Sequence, residues 1–316
     1  MKWVVGFFVF CIILFMYIHV NFHLKTSEDL EMYEVEDASK DKLEEICDIR
    51  QPVMFRYDNA KIDDYLNKEN ITDNYSAFDL KIRNTSETDN SVEMYNLFPL
   101  HLALKLFDED TDSMYYTENN QDFLKETGLI KYMRGNDEYL RPYMVSSCNY
   151  DIVIGSLDCV TPFRYELNYR TFIMVTQGTI QIKLSPPTST KYLDPVYDYD
   201  NYEFKTLINP WNVQQKYVKS FNKIKCLEFL VEPGKMLFLP SYWWYSIKFG
   251  KDATVLMFKY KTYMNQVATI PYSFMHALQL QNVKRDFVKK SENVDAEPIE
   301  EHPAKIDDAL EKEEEK

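Results

Sequence analysis

The stretch that decides the fold is Pro233-Gly234-Lys235-Met236-Leu237-Phe238-Leu239-Pro240-Ser241-Tyr242-Trp243-Trp244-Tyr245. A Pro-Gly turn opens it, the apolar run 236–239 follows, and another run, 245–249, begins at its last residue. Five similar runs lie nearby, at residues 152–154, 172–175, 180–184, 226–231 and 254–258. Short strands at this spacing predict a mainly β fold, a double-stranded β-helix forming a jelly-roll barrel.

Helical patterns flank these runs. Residues 98–107 and 120–133 carry apolar side chains at helical spacing, so we predict a helix in each before the barrel. After the barrel, a further helical stripe lies in residues 271–289 and includes Phe274, Met275 and Leu278. Because such a stripe would be an exposed apolar patch in water, we expect it to pack on the barrel or on a second copy, giving a homodimer.

A long apolar segment lies at the N-terminus. The 22 residues between Lys2 and Lys25 include no Asp, Glu, Lys or Arg. As a helix they span roughly 33 Å, which is long enough to cross a bilayer. A cleaved secretory signal is the alternative, but residues 17–24 are bulky where a cleavage site needs small side chains. We therefore predict that residues 3–24 form an uncleaved transmembrane signal anchor.

The charges that flank the anchor set its orientation. Lys2 and the amino group precede it, whereas residues 28–37 are strongly acidic and only Lys25 offsets them. The positive-inside rule then keeps the N-terminus cytoplasmic. The sequence predicts a single-pass type II membrane protein, with its ectodomain in a lumen, outside the cell or in a virion membrane.

The rest of the chain has room for one domain. We predict a polar stalk over residues 25–40, the folded domain over 41–265 and a C-terminal helix over 266–290. Residues 291–316 carry 11 acidic and 3 basic side chains, more than half of the net charge of -14. This composition predicts an acidic disordered tail and argues against nucleic acid as a partner.

Sequons and cysteines give weaker signals. Asn70, Asn74 and Asn84 each begin an Asn-x-Ser/Thr sequon, so they are candidate glycosylation sites on a surface loop. The cysteines beyond the anchor are too scattered for a disulfide scaffold and form no Cys-x-x-Cys pair: Cys47, Cys148, Cys159 and Cys226. The sequence allows two predictions for these cysteines, either one disulfide or four buried thiols.

A second stretch, Thr161-Pro162-Phe163-Arg164-Tyr165-Glu166, precedes Asn168, Gly178 and Pro186-Pro187. Together with residues 233–245 it resembles the JmjC/cupin-like barrel of Fe(II)/2-oxoglutarate hydroxylases, in which the two frames read T-P-x-H-x-D and P-G-D-x-L-x-I-P-x-x-W-W-H. The resemblance implies a cupin-like domain over residues 41–265. In that family, two histidines and one carboxylate hold the iron.

The family's metal ligands are replaced in this sequence. Arg164 and Tyr245 stand at the two histidine positions, and Glu166 stands at the aspartate. Arginine stays protonated and offers no lone pair, so it cannot coordinate iron. Of the five histidines, only His101 and His276 lie in predicted folded parts, and neither is in a barrel strand. We predict no catalytic residues, no metal and no cofactor; a hydroxylase that uses Fe(II) and 2-oxoglutarate is the alternative.

The co-substrate position departs from the family pattern as well. The resemblance implies a basic residue shortly after Gly178 to hold the 2-oxoglutarate carboxylate, but Ile180 stands there. Lys183 would come near only after a register shift, because its parity along the strand differs from that of Ile180.

Residues 164 and 166 share one face of a strand, and in a barrel of this type that face points inward. We therefore predict an ion pair between Arg164 and Glu166 beside the Tyr245 hydroxyl. This pair either seals a structural core or leaves a pocket in which Arg164 binds an anionic small molecule or sugar. Asn168, Tyr245 and Trp244 are the other ligand-binding candidates, and Trp243-Trp244 is either core packing or a stacking platform.

These observations predict a membrane-anchored, catalytically inactive module with a structural or interaction role. Its predicted partners are the membrane that it spans once and a protein that the sequence does not identify. The richness in Tyr, Asn, Lys and Ile with only seven glycines, and the stretches at residues 244–249 and 259–265, are similar to cupin-like proteins of large DNA viruses. That similarity implies a virion or membrane component that tethers a lipid layer to capsid or assembly partners.

Overall fold

The computed structural model describes residues 2–36, 39–86 and 94–282. Its strands are β1 (Tyr33–Val35), β2 (Val53–Arg56), β3 (Asp79–Asn84), β4 (Asn96–Pro99), β5 (Tyr115–Thr117), β6 (Val145–Gly155), β7 (Arg164–Tyr165), β8 (Arg170–Gln177), β9 (Ile180–Ser185), β10 (Pro195–Asp198), β11 (Glu203–Thr206), β12 (Leu227–Val231), β13 (Lys235–Pro240), β14 (Trp244–Phe249) and β15 (Thr254–Thr262). Its α-helices are α1 (Lys2–Leu24), α2 (Lys40–Asp48), α3 (Ala60–Tyr65), α4 (Lys68–Tyr75), α5 (Leu100–Glu109), α6 (Gln121–Glu126), α7 (Ile130–Arg134), α8 (Asp137–Leu140), α9 (Thr190–Leu193), α10 (Val218–Phe221), α11 (Tyr263–Ala268) and α12 (Ile270–Asn282).

The strands form two sheets. The large sheet has the order β1-β2-β13-β8-β15-β6-β5-β3-β4, and the small sheet has the order β10-β11-β7-β14-β9-β12. All seven apolar runs predicted as strands are strands, namely β6, β8, β9 and β12 to β15. The prediction of a mainly β fold with flanking helices is confirmed.

Side-chain alternation explains the layers. In β8, Ile173 and Val175 join the core between the sheets, whereas Phe172 and Met174 join a second core under the helices that cover the large sheet. Both faces of β8 are therefore buried, which is why its sequence reads as an unbroken apolar run. A third core covers the outer face of the small sheet and includes Trp244.

Gly178 makes the turn between β8 and β9. Its φ of +67° lies in the left-handed region, and a Cβ there would meet the Lys251 carbonyl oxygen at 2.5 Å. Only glycine fits both conditions without strain. The turn predicted at this position is thus fixed by backbone conformation and by close packing.

Two local predictions are corrected by the structure. Residues 25–40 are not only a stalk, because Tyr33–Val35 form β1 and pair in parallel with β2. Residues 120–133 form the two short helices α6 and α7 rather than one. Gly128, with a φ of +72°, lies between them and ends the helical path.

The sequons do not lie in one surface loop. Asn70 and Asn74 belong to α4, and Asn84 ends β3. The Asn74 side chain is exposed, whereas Asn70 and Asn84 are half-buried.

The cysteines are all free thiols, and the whole set lies in the described part of the chain. Cys47 and Cys159 are buried, whereas Cys148 and Cys226 are half-buried. A disulfide is therefore not formed, and burial of all four is only partly correct.

The C-terminal helix differs from its prediction. Phe274, Met275 and Leu278 are 61%, 42% and 39% exposed, so this face does not pack on the barrel. Packing on a second copy stays a prediction. The acidic tail at 291–316 lies outside the described residues.

Candidate functional site

The three positions of the family's metal site do come together. Arg164 begins β7, which lies between β11 and β14 in the small sheet. Register pairs Arg164 with Tyr245 on β14 and with Lys205 on β11. Glu166 follows β7 directly and accepts a hydrogen bond from the Tyr245 hydroxyl at 2.7 Å.

The predicted ion pair between Arg164 and Glu166 is wrong. The Arg164 guanidinium instead binds both carboxylate oxygens of Glu118 and lies 3.4 Å from Glu203. Arg83 completes the group: it donates to Glu118 at 2.8 Å and to both oxygens of Glu203 at 2.6 and 3.0 Å. We call Arg83, Glu118, Arg164 and Glu203 the arginine cluster.

Ion pairing in the arginine cluster outweighs the effect of burial on the carboxylates. Burial opposes ionisation of Glu118, but Arg164 and Arg83 outweigh burial and hold the pKa of this carboxyl below its usual range. The pKa of Glu203 is lowered against burial in the same way, first by Arg83. A guanidinium fork matches a carboxylate with two parallel bonds, so the cluster is held in one geometry.

Glu166 has its own partners. Besides Tyr245, it accepts hydrogen bonds from Asn168 and from the Lys259 ammonium, the latter at 2.7 Å. Burial raises the pKa of Glu166, but the opposing effects of Lys259 and, next, Arg164 are larger together, so the pKa lies below its usual value. We call Lys259, Glu166, Tyr245 and Asn168 the lysine cluster.

Both clusters connect the two sheets. Arg83 lies on β3 and Glu118 follows β5 in the large sheet, whereas Arg164 and Glu203 lie in the small sheet. Lys259 on β15 makes the same connection to Glu166. Charged groups therefore join the sheets at the end of the core where the family carries its metal.

This donor set does not fit Fe(II). Two of the three positions present a guanidinium and a phenol, and the carboxylate of Glu166 is already bound by an ammonium, whereas the iron site needs lone pairs from two imidazoles and a free carboxylate. Within the described residues, no group of three His, Cys, Asp or Glu side chains is arranged to hold a metal ion. His101 and His276 bond to the carbonyls of Ser76 and Tyr199 and do not line the site.

The co-substrate position is also incompatible with the family pattern. Ile180 is fully buried in the core between the sheets. Lys183 points elsewhere: its ammonium lies 3.2 Å from Glu228 and stacks over the Trp211 ring. Ile180 and Lys183 are three residues apart on β9, so their side chains lie on opposite faces of the strand and Lys183 does not reach the site.

A cavity of about 480 Å³ lies beside both clusters. Arg164 and Asn168 line it, as predicted for a ligand pocket, whereas Tyr245 and Trp244 do not. Five amide side chains belong to the wall of the cavity: Asn119, Gln121, Asn149, Asn168 and Asn201. Asn119 and Asn201 are exposed, so the cavity opens to solvent.

Trp243 and Trp244 are core residues. Both are fully buried, and the Trp244 indole donates to the Thr190 hydroxyl while its ring packs on Phe163 and Tyr165. A stacking platform needs an exposed ring face, so the stacking interpretation is wrong.

Lys261 is a further cation at the cavity wall, and it was not among the residues predicted from the sequence. Among the described residues, no carboxylate lies within salt-bridge distance of its ammonium, which instead stands 5.7 Å from the Tyr202 ring centre. Burial lowers the pKa of Lys261, and Glu166 opposes that shift only in part. Its position two residues after Lys259 on β15 is the signal that could have identified it, because both side chains share one face.

The fold and the site define the class of protein. The chain belongs to the cupin-like domain family, whose model matches residues 23–265 and so includes every described strand. Among curated proteins it is similar to HSPB1-associated protein 1 of Homo sapiens, with 29% identity over 103 residues, 32% of this chain and 21% of the relative. The Bos taurus and Rattus norvegicus proteins of the same name match at 29% identity, with 32% of this chain and 21% and 22% of the relatives covered. The chain thus covers about a fifth of the length of these curated relatives.

Proposed function

We propose that this chain is a membrane-anchored, catalytically inactive cupin-like module with a structural or interaction role, and that its two sheets are a double-stranded β-helix. The observation that carries the proposal is the arginine cluster. Arg164 stands at a metal-ligand position of the family and is bound to Glu118 and Glu203, so the space where the family holds iron contains a buried ion network in which each carboxylate has two arginine partners. Removing one charge from such a network is costly, which argues against easy displacement by a metal cation.

Membrane anchoring is supported by α1. It has 23 residues, its length is about 34 Å, and its apolar side chains are exposed. A cleaved signal sequence of this length and composition is the alternative. We propose an uncleaved anchor and a type II orientation, because the flanking charges favour a cytoplasmic N-terminus.

Protease protection tests this topology. In sealed vesicles the domain is expected to survive external protease when the N-terminus faces outward, and to be cut after detergent is added. N-terminal sequencing of the mature protein should begin before residue 24. A mature chain that begins after this residue contradicts the anchor without touching the proposal of inactivity.

Metal analysis tests the inactivity. The full chain, purified and incubated with Fe(II) under anaerobic conditions, is expected to bind no stoichiometric iron and to form no succinate from 2-oxoglutarate. The comparison variant combines Arg164→His, Glu166→Asp and Tyr245→His, which supplies the three ligand types. We expect metal binding to appear more readily than turnover, and Lys259→Met to strengthen it because Lys259 competes for the carboxylate. Stoichiometric iron with succinate in the unmutated chain contradicts the proposal.

A second candidate function is binding of a small organic anion, and the cavity with Lys261 favours it. The carboxylates of both clusters already have cationic partners, so Lys261 offers the spare positive charge of the wall. Amide and phenol groups around it suit a hydroxyl-rich ligand such as a sugar acid.

Calorimetry tests this candidate with glucuronate and with uncharged glucose as probes. Glucuronate is expected to bind more tightly, and Lys261→Met to weaken it by about tenfold, whereas Lys248→Met, in a surface pair with Asp158, is expected to leave binding unchanged. Equal binding of glucose and glucuronate contradicts an anion site.

The biological setting is also a proposal. We propose a virion or membrane component on the resemblance of residues 244–249 and 259–265 to cupin-like proteins of large DNA viruses. The name HSPB1-associated protein 1 describes association with another protein in the relatives. Crosslinking in intact membranes or particles is expected to capture a protein partner of the domain. Glycosylation at Asn74, the exposed sequon, is expected if the domain is lumenal, and a mass shift removed by glycosidase would report it.

A further inference from the structure

The end of α1 packs along the folded domain. Met16, His19, Val20 and His23 are partly or fully covered, whereas their neighbours on α1 are exposed. These positions follow the i, i+3, i+4, i+7 spacing of one helix face. The covering element is α11, and the His23 ring bonds to Thr262, the residue that caps α11, at 3.2 Å.

This contact sets the depth of α11 in a bilayer. At about 1.5 Å per residue, the covered face of α1 lies roughly 21 to 32 Å from Lys2. The hydrocarbon core of a bilayer is about 30 Å thick. If α1 spans the bilayer from Lys2, the contact with α11 reaches from about 9 Å inside the hydrocarbon core to its boundary with the headgroups, and α11 and the start of α12 lie at that level.

The faces of α12 differ sharply. Tyr272, His276 and Gln279 contact the β10–β11 hairpin, where Gln279 accepts a hydrogen bond from the Tyr199 amide at 3.1 Å. Ile270, Phe274 and Leu278 point away and are 56%, 61% and 39% exposed. The hairpin thus holds α12 so that its apolar side remains uncovered.

The composition of this region suits a lipid boundary. From Tyr263 to Asn282 the chain has no Asp, Glu, Lys or Arg, although 27% of the whole chain is charged. Tyr263 is 56% exposed, and tyrosine is enriched where a membrane meets water.

We infer that α11 and α12 form a membrane-contact surface, and that the outer leaflet of the bilayer that holds α1 covers Tyr263, Ile270, Phe274 and Leu278. The inference rests on the proposed membrane span. The domain then rests on the bilayer through this surface instead of standing off on a flexible stalk, and a second copy is the competing occupant.

The test uses the full chain in lipid vesicles with one fluorescent label per molecule. Labels at Phe274→Cys and Tyr263→Cys report the surface, in a chain carrying Cys11→Ser, Cys148→Ser and Cys226→Ser. A label on the native Cys11 of α1, with the other two changed to serine, reports the span.

Leu97→Cys is the matched control. Leu97 is exposed on β4, and strand register through β3, β5 and β6 places it level with the Thr254 end of β15. The α1 contact lies at the other end of β15, at Thr262, roughly 26 Å away along the strand.

Lipids that carry a quencher near the headgroup are expected to reduce emission from the labels at 263 and 274 but not from the label at 97. Deep quenchers are expected to reduce emission from Cys11. If Cys11 is quenched while 274 behaves like 97, the membrane-contact surface is wrong and the span stands. If Cys11 is not quenched, the span fails and the surface with it. If labels at 274 instead transfer energy between molecules and escape lipid quenching, a second copy covers the surface and the inference is overturned.

Discussion

The arginine cluster and the lysine cluster both join the two sheets with charged groups, but they do so by different means. In the arginine cluster, side-chain exposure is 5 to 10%, and each carboxylate is bound by both nitrogens of one guanidinium fork and by one nitrogen of the other. In the lysine cluster, Lys259 and Glu166 are 13 and 17% exposed, and one ammonium supplies a single charge-assisted bond. A planar fork fixes direction as well as distance, whereas an ammonium on a flexible stem is a point charge.

This difference bears on the proposed loss of the metal site. On that proposal, the arginine cluster places a rigid ionic crosslink where the family holds iron, and its side chains are only 5 to 10% exposed. Both clusters border the cavity, but Lys259 and Glu166 are more exposed than any member of the arginine cluster, so water can more readily solvate a group left unpaired there. We therefore expect stability to depend more strongly on the arginine cluster than on the lysine cluster.

The largest expected effect is that of Arg164→Ala. It leaves the buried Glu118 with Arg83 as its remaining cation, and it leaves a gap where the guanidinium was. Breaking a buried ion network in this way costs on the order of 3 to 5 kcal/mol of the free energy of unfolding. Denaturant titration of the detergent-solubilised chain measures the loss.

The control for Arg164→Ala is the pair Arg164→Met with Glu118→Gln. Arg83 and Glu203 still pair through two bonds, and the amide oxygen at position 118 can still accept from the Tyr116 hydroxyl. No charge is stranded, so the double change should cost much less than the single one. A double variant as unstable as Arg164→Ala would show that packing, not charge pairing, is what Arg164 contributes.

Sequence reasoning succeeded where side-chain parity decides the outcome. Apolar periodicity predicted the strands, and the two motifs predicted that Arg164, Glu166 and Tyr245 converge. It failed on partner choice, because that depends on which side chains of the opposite sheet reach across. Glu118 directly follows β5, so the available signal was an acidic residue at the end of a strand.

The same limit explains Lys259 and Glu203. Lys259 lies on β15 and Glu203 lies on the short strand β11. The residues next to each of them in the sequence do not indicate which charged side chain of the opposite sheet it contacts. Lys259 pairs with Glu166, and Arg164 pairs instead with Glu118, which follows β5, and with Glu203 on β11. The pairing is a property of the assembled sheets rather than of any one motif.

Lys259→Met is expected to cost less than Arg164→Ala. It removes the cation from Glu166, but Tyr245 and Asn168 still donate to that carboxylate, and the cavity admits water. We expect a loss of about 2 kcal/mol. Denaturant titration alongside Arg164→Ala ranks the two clusters; a larger loss for Lys259→Met would reverse the comparison.

Asp151, beside the lysine cluster, should give stability a pH dependence. Burial raises its pKa from 3.8 to about 6, and this outweighs Lys259 and the amides of Asn119 and Asn120, which lower it. The folded state therefore binds more protons than the unfolded state between these values, and stability falls as the pH rises through the folded pKa. From pH 5 to 7 we expect a decrease of about 1 kcal/mol.

Asp151→Asn supplies the control for that slope. Its absolute stability is lower because one amide loses its acceptor, but the decrease between pH 5 and 7 should disappear. The lowered pKa values of Glu118 and Glu166 act in the opposite direction, with stability lost as the pH falls below their ordinary values, so they do not produce this slope. A slope that persists in Asp151→Asn assigns it to another group.

The smallest expected effect tests whether the arginine cluster is self-sufficient. Lys205 lies 2.8 Å from Glu203 and is 19% exposed, but both arginines contact the same carboxylate. Lys205→Met should therefore cost less than about 1 kcal/mol, close to the cost of Lys248→Met, which breaks a surface pair with Asp158. Denaturant titration of the two variants side by side provides the measurement. A loss at Lys205 that approaches the loss at Arg164 would mean that Glu203 needs three cations, and that the forks alone do not hold the sheets together.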